Sequence, residues 1–408
     1  MSAGWHERLK RDRVARGLSQ REAAAEFIVH SPAHAEFDLD NIERHWKRWE
    51  RGQVSLPNLP NQGAIAAMFG VPRETYFPPL GRGADSPRLT DDETLDMVQR
   101  LRASSLDSSA LDLAAITVDR LSTDYASVPG GDAVLADTDR FLIEIVGLRD
   151  KRLTYAQHRE VIDLSGRLAL LKACLHYDQG NSAAAEQARR AAIMLGEEIG
   201  DTEILGWGAE IKAWMALTRG DLYGVLAATK EGLRATTQHS VAVQLHAQSA
   251  KAWARLGRRR EVEIALDKGR ALMDTLPYPD NPRNHVQVDP AKYDFYVMDC
   301  YRLVGEDRLA LAMADNVAAA STTPAGEVFS PMRLSEAELT RATVLARGGD
   351  SDGALRLADA AIQRGRRSLP SLLMVGREVA GELTAHNPKS SEALEFTRHL
   401  QDMAAPRS

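Results

Sequence analysis

The sequence predicts an all-α protein with an N-terminal bundle of five short helices and a longer array of helical hairpins. Apolar residues recur at helical spacing along most of the chain, and no alternating strand pattern exceeds a few residues. A Pro- and Gly-rich stretch over residues 79–90 predicts a linker between residues 1–78 and 91–408. A chain of 408 residues is long enough for two or three domains.

The composition excludes several classes of protein. It is 44% hydrophobic and 26% charged, as in ordinary globular proteins. No apolar run approaches the roughly 18 residues of a membrane-spanning helix, and the first residues lack the apolar core of a signal peptide. Cys174 and Cys300 lie in apolar helical patterns, without the spacing of a metal or redox site. We therefore expect a cytoplasmic protein with two buried, reduced thiols.

Charge is distributed unevenly along the chain. The net charge is −6, which by itself argues against a nucleic-acid partner. Residues 1–80 hold 11 basic and 10 acidic residues, a net charge of +1, and the remainder carries −7. Residues 8–16 and 44–51 contain nine of those eleven basic residues. Because phosphates are neutralised locally, such clusters are more informative than the total.

The first two helices have clear boundary signals. Trp5–Arg16 is amphipathic and ends at Gly17, which can adopt a positive φ. Ser19 and Glu22 form a Ser-x-x-Glu capping box, which predicts a second helix over Gln20–Phe27. The inward-facing residues of this helix are expected to be Ala23, Ala24 and Phe27.

The segments around the third helix are less regular. Residues 28–40 are too long for a compact turn between two helices and contain Pro32, so we predict an insertion or a lengthened third helix. Farther on, Pro57–Pro60 predicts a turn and Gln62–Phe69 a fourth short helix. Arg73–Tyr76 is expected to form the last helical turn.

The third helix, Asn41–Glu50, has one apolar and one charged face. Ile42, Trp46 and Trp49 are spaced as a buried stripe, and Gly52 follows the helix. Arg side chains pair bidentately with guanine edges, and Lys reaches bases or phosphates. The residues on the other faces are Glu43, Arg44, Lys47, Arg48 and Arg51.

These motifs carry a family resemblance. Leu18–Ala25, followed by Ile42, Trp46 and Trp49-Glu-Arg-Gly52, resembles the lambda-repressor-like, or XRE-type, helix-turn-helix family, in its actinobacterial form. The resemblance implies a DNA-reading third helix. Two roles for Glu43 remain open: its carboxylate either accepts a hydrogen bond from a cytosine amino group or pairs with Lys47. The implied DNA-contacting residues are Gln20, Arg21, Asn41, Glu43, Arg44, His45, Lys47, Arg48 and Arg51.

A helical hairpin recurs in the second part of the chain. The residue seven positions before each turn glycine is Ala or Met, and the residue five after is Ala or Val. Such small residues fit two closely packed antiparallel helices, and the pattern resembles degenerate tetratricopeptide-type repeats, whose standard period is about 34 residues. An irregular helical bundle is the alternative. Helices over residues 90–125 and 132–148 would cap the array. The turn glycines are Gly180, Gly220, Gly257, Gly305 and Gly349, separated by 40, 37, 48 and 44 residues.

Repeat arrays of this type bind ligands on a concave face lined by the first helix of each hairpin. Aligning the turn glycines places aromatic and charged residues on that face, with Cys174 and Asp299 nearby. Residues 278–290 form a long polar loop, which is either a lid or a spacer. The candidate effector-binding residues are Arg167, Tyr177, Trp207, Glu210, Trp214, Gln244, Lys251, Phe295 and Arg302.

These patterns favour a regulator over an enzyme. The chain has no GxxxxGK[ST], HExxH or GxSxG motif, and its histidines lack metal-ligand spacing, so we expect no catalytic site, cofactor or metal. The resemblance implies a homodimeric transcriptional regulator that binds an operator in double-stranded DNA. A peptide, small molecule or partner bound to the repeats would control it. The alternative is a protein-interaction scaffold whose helix-turn-helix domain binds no DNA.

Overall fold

The computed structural model describes residues 4–31, 38–54, 56–77, 98–99, 103–127, 131–323, 325–364, 368–386 and 388–404. Within these ranges the protein is all-helical, with 18 α-helices and a single isolated β-bridge between Thr322 and Val328. The chain divides into two units, Met1–Val98 and Gln99–Ser408. The predicted linker over residues 79–90 lies outside the described residues. Among those described, no helix has the length and apolar character needed to cross a membrane.

Over residues 4–77, as far as they are described, the first unit contains four α-helices and one 3-10 turn. The predicted fifth element is only that turn, over Arg73–Thr75. The α-helices bury a common core, in which the stripe of Ile42, Trp46 and Trp49 is at most 7% exposed, as predicted. The helices are α1 (Trp5–Ala15), α2 (Gln20–His30), α3 (Leu39–Glu50) and α4 (Leu59–Phe69).

Local capping sets the boundaries of these helices. The predicted Ser19–Glu22 capping box is present, and Gly17 has a φ of +69° after α1. Both α2 and α3 are longer than predicted, and the Asp38 carboxylate caps α3 by accepting from the Asn41 backbone N–H. Six of the thirteen residues of the predicted insertion, including Pro32, lie outside the described residues.

The start of α4 differs from the predicted turn. Asn58 caps the helix by accepting from the Asn61 backbone N–H at 3.0 Å. Pro60 therefore lies in the first helical turn, contrary to the prediction. Proline is tolerated there because the first backbone N–H groups of a helix have no partner inside the helix.

The second unit is a succession of helical hairpins. All five predicted turn glycines have φ between 68° and 88°, the left-handed conformation that glycine adopts without strain. The small residues at the ten predicted contact positions are at most 2% exposed. The helices are α5 (Ser108–Ser127), α6 (Asp132–Gly147), α7 (Tyr155–Asp178), α8 (Ser182–Ile199), α9 (Thr202–Thr218), α10 (Leu222–Ala235), α11 (Ser240–Arg255), α12 (Arg259–Met273), α13 (Pro290–Leu303), α14 (Asp307–Ala320), α15 (Pro331–Arg347), α16 (Ser351–Ile362), α17 (Leu369–His386) and α18 (Ser391–Ala404).

The helix α17 occupies a position that the sequence pattern did not predict. It packs against α15 and also contacts α7 and α9, the first helices of two early hairpins. Glu378 of α17 accepts from Arg255 of α11 and from Arg302 of α13, each at 2.7–2.8 Å. The face expected to be open for a ligand is therefore partly covered by a helix of the same unit.

Candidate functional site

The exposed face of α3 is the first candidate site. Opposite the buried tryptophans it presents Asn41, Arg44, Arg48 and Arg51 to solvent. Arg44 makes only long contacts, to the Asp40 carbonyl at 3.3 Å and to the side chain of Asn41 at 3.4 Å. Within the residues described, the guanidinium groups of Arg48 and Arg51 form no hydrogen bond or ion pair. Their guanidinium groups are available to an external partner.

The acidic residues beside this face are paired with basic ones. Glu43 accepts from Lys47 at 2.7 Å and from Arg21 at 2.8 Å, and Arg21 also contacts Asp40 at 2.6 Å. Hydrogen bonds from Lys47 and Arg21 lower the pKa of the Glu43 carboxyl. Of the two alternatives for Glu43, the structure has the pairing with Lys47. His45 is half-buried, with its ring 6.3 Å from that of Trp49.

Glu50 connects α3 to the interior of the first unit. The Glu50 side chain is 2% exposed, and its carboxylate forms an ion pair with Arg13 and accepts from Trp46 Nε1 at 2.8 Å. The Glu50 carboxylate also accepts from Gln20 Nε2 at 2.7 Å. This hydrogen bond fixes the side chain of Gln20, one of the predicted DNA-contacting residues. Burial opposes ionisation of Glu50, but the hydrogen bonds from Arg13, Gln20 and Trp46 outweigh it and lower the pKa. This network fixes α3 relative to α1 and α2.

A cavity inside the second unit is the second candidate site. It has a volume of about 100 Å³ and is lined by the first helices of several hairpins together with α5 and α17. The loop over residues 278–290 contributes His285, whose backbone N–H donates to Ser122 of α5 and whose ring lies 4.1 Å from that of Tyr125. The loop thus forms part of the cavity wall.

Five of the predicted effector residues line this cavity: Glu210, Trp214, Gln244, Lys251 and Phe295. The other four have partners within the protein. Arg167 pairs with Asp163 and Glu203, and the Tyr177 hydroxyl bonds to Thr218. Trp207 is buried beneath the ammonium group of Lys292, and Arg302 pairs with Asp299 and Glu378.

The prediction missed several polar groups in the cavity, including Gln248, Lys292, Arg333 and Glu336. For two of these residues, the spacing to the turn glycines in the sequence indicated a position in the cavity. Lys292 and Glu336 stand 13 residues before Gly305 and Gly349, the same register in which Gln244 precedes Gly257. No comparable signal in the repeat pattern identified Arg333.

The buried amides and Glu210 form a compact polar network. Glu210 Oε1 accepts from the side-chain amides of Gln244 and Gln248, each at 2.7 Å. Burial raises the pKa of the Glu210 carboxyl, although these two hydrogen bonds act against the change. The side-chain oxygens of Gln244 and Gln248 are buried and have no hydrogen-bond partner among the residues that the structure describes. Two acceptors are therefore left for a donor from outside the chain.

The cationic groups of the cavity differ in their pairing. Lys251 Nζ lies 3.3 Å from Asp299, whereas Lys292 Nζ donates, within the described ranges, only to the backbone carbonyls of His285 and Gln287. Burial, and next the charge of Arg333, lower the pKa of Lys292 to about 7. Burial also lowers the pKa of Arg333, for which no ion pair or hydrogen bond exists among the described residues.

One acidic group of the cavity is similarly perturbed. Glu336 is 8% exposed, and burial raises the pKa of its carboxyl to about 7. The nearby charges of Lys251 and Arg302 act against this increase, and Asp299 adds to it. A cavity with several strongly perturbed titratable groups is a typical ligand-binding environment.

The chain was compared with known proteins in three ways, and none of the comparisons identified a relative. No family model, no curated protein and no solved structure matches the chain. The geometry and chemistry of the α3 face and of the cavity are therefore the basis for inferring what the protein does.

Proposed function

We propose that the protein is a DNA-binding transcriptional regulator in which α3 reads an operator. The observation that supports this most directly is the set of unpaired guanidinium groups of Arg48 and Arg51 on a helix anchored by buried tryptophans. A guanidinium group pairs bidentately with the O6 and N7 atoms of guanine in the major groove. A fixed helix with free arginines has the features that such a contact requires.

The proposed fold of the first unit is a lambda-repressor-like helix-turn-helix domain. Three features support this proposal: the order of α1 to α4, the capped start of α2, and the hydrogen bond between Gln20 and Glu50. The first turn of α2 would meet a phosphate, because its backbone N–H groups and the helix dipole favour anions. The second unit would be a tetratricopeptide-like array that binds an effector and supports dimerisation.

Dimerisation is part of the proposal for a physical reason. A single recognition helix buries a modest area on DNA, and a second half-site about one helical turn away raises affinity and specificity together. We therefore expect a palindromic operator, which genomic footprinting with the purified full-length protein would identify. A footprint on a single asymmetric half-site would contradict the dimer.

The role of α3 is tested by substitution. Arg44→Ala and Arg48→Ala should each weaken binding to the footprinted operator by about 1–3 kcal/mol. Arg48→Lys is the matched control, because lysine keeps the charge but lacks the planar fork. It should weaken operator binding while leaving affinity for unrelated DNA nearly unchanged. Unaltered operator affinity in both alanine variants would show that α3 is not the reading helix.

The alternative function is a protein-interaction scaffold. Its support is the low net charge of +1 over residues 1–80 together with the acidic partners of Arg21 and Lys47. DNA binding that displaces counterions weakens steeply with salt, whereas a protein–protein interface need not. The absence of any footprint and of salt-dependent DNA affinity would favour the scaffold.

A further inference from the structure

We propose that the cavity of the second unit binds a small organic carboxylate that also carries a hydroxyl or amino group. Its carboxylate would lie between Lys292 and Arg333, and its donor group would meet the side-chain oxygens of Gln244 and Gln248. The assignment gives the chemical class of the effector, and its regulatory role rests on the proposed function. Binding itself requires no DNA.

The two cations provide the first argument. Lys292 is 3% exposed, and among the described residues its ammonium group donates hydrogen bonds only to two backbone carbonyls and lies over the Trp207 ring. Arg333 lines the same cavity, and its charge acts on Lys292. Within the described part of the chain Arg333 forms no ion pair, and the charge of Asp289 acts on both cations without pairing with either. Buried charges are normally paired, because leaving water is costly. An anion between these groups would reduce their repulsion and supply the missing partner.

The buried amides provide the second argument. Gln244 and Gln248 are each 3% exposed, and both direct their nitrogen atoms to Glu210. Their unpartnered oxygens can only accept hydrogen bonds. A ligand with a hydroxyl or ammonium group would satisfy them, whereas a plain fatty acid would not.

The size and walls of the cavity exclude an extended peptide. Its volume of about 100 Å³ is smaller than the roughly 150 Å³ of a cavity that holds benzene. Trp214 and Phe295 provide apolar walls, and the indole N–H of Trp214 donates to Ser371 of α17 at 2.9 Å. Because α17 lies on the inner face of the hairpins, the cavity has room for a ligand of only a few carbon atoms.

The test uses calorimetric titration of the full-length chain with matched probes. 3-Hydroxybutyrate and 4-aminobutyrate carry both proposed groups, and together they distinguish a hydroxyl from an amino donor. Butyrate lacks the donor, 3-hydroxybutyramide lacks the negative charge, and inorganic phosphate lacks the carbon body. We expect at least one of the first two to bind with a Kd of about 1 mM or tighter, the range open to so small a ligand. Butyrate, the amide and phosphate should each bind at least about tenfold more weakly.

Two variants assign this binding to the cavity. Arg333→Gln should weaken it at least about tenfold, and removing the Arg333 guanidinium breaks no ion pair in the described part of the chain. Arg341→Gln is the matched control, because Arg341 lies on the same helix and pairs outside the cavity with Asp315. It should leave the Kd unchanged. Circular dichroism of both variants would verify that each is folded.

Several outcomes would overturn the proposal. These are no binding of either donor-bearing acid, equal binding of the neutral amide, tighter binding of phosphate, or an unchanged Kd in folded Arg333→Gln. The DNA assay is separate. If 3-hydroxybutyrate binds but no operator is found, the proposed function fails and the carboxylate site stands. If an operator is bound but no acid is, only the carboxylate site fails.

Discussion

The α3 face and the cavity contain the same types of charged residue in opposite environments. On α3, Glu43 is paired with Lys47, and unpaired arginines such as Arg48 are exposed to water. In the cavity, Lys292 is buried and forms no ion pair with any acidic residue that the structure describes. An exposed unpaired cation is stabilised by solvent, so it indicates a partner only in combination with a recognition helix. A buried one is costly by itself and is therefore the stronger indication of a ligand.

The largest expected effect tests whether a buried carboxylate contributes more to the stability of the first unit than an exposed one. Glu50→Ala should lower the free energy of unfolding of the first unit by about 3–5 kcal/mol, because it leaves Arg13 without its buried partner. Hydrogen exchange of α1 and α3 amides in the full chain would measure the change. Glu43→Ala is the control. In this variant the protection of the same amides from exchange should be almost the same as in the original chain. If both variants lost a similar amount of amide protection, burial would not distinguish the contributions of Glu50 and Glu43 to stability.

The next effect concerns Glu336 and its perturbed pKa of about 7. A pKa raised by folding adds stability at low pH, and this contribution is lost as the pH rises from about 4.5 through 7. The difference in unfolding free energy between the original chain and Glu336→Gln should therefore fall by about 3 kcal/mol between pH 4.5 and 8. Urea denaturation across this range measures it. A difference independent of pH would mean that Glu336 titrates normally.

A smaller effect is expected for ligand affinity. Lys292 has a pKa of about 7, set by burial and Arg333 against the opposing charges of Glu210 and Asp289. Glu336 becomes anionic over the same range. Both changes disfavour an anion, so affinity for the carboxylate probe should fall about tenfold from pH 6 to pH 8. Calorimetric titration at each pH would show it, and affinity that rises with pH would contradict the anion site.

The features predicted correctly from the sequence are those set by local chemistry. The capping box at Ser19 and the left-handed turn at Gly180 depend on a few adjacent residues, and the Trp46 stripe depends on the helical period. Such signals lie within one or two helical turns of the chain, so they can be found without knowing how the helices pack.

The features missed by the sequence depend on contacts between distant residues. Glu378 and Arg255 are 123 positions apart, and their hydrogen bond helps to place α17 on the inner face of the hairpins. This packing changed the expected open surface into a cavity and gave Arg302 an internal partner. The cavity position of Arg333 likewise follows from the packing of α15 beside α13. Helical periodicity carries no information on such pairings.

The smallest effect returns to the α3 face and the role of Glu43. Glu43→Gln removes one negative charge and releases Lys47 from its ion pair, whereas Arg21 keeps its ion pair with Asp40. Affinity for unrelated DNA should rise a few-fold, and the slope of log affinity against log salt should steepen by about one if one released cation reaches a phosphate. Fluorescence anisotropy over a series of salt concentrations measures both quantities.

The control for this change is Glu7→Gln, which alters the net charge equally at an exposed position in the first turn of α1. It should leave the salt slope unchanged, because counterion release depends on charges at the docking face rather than on the total. The opposite result for Glu43→Gln, weaker operator binding with unchanged affinity for unrelated DNA, would show that Glu43 accepts from a base. The ion pair with Lys47 would then be a resting arrangement that DNA displaces, and the acidic group on α3 would contribute to specificity.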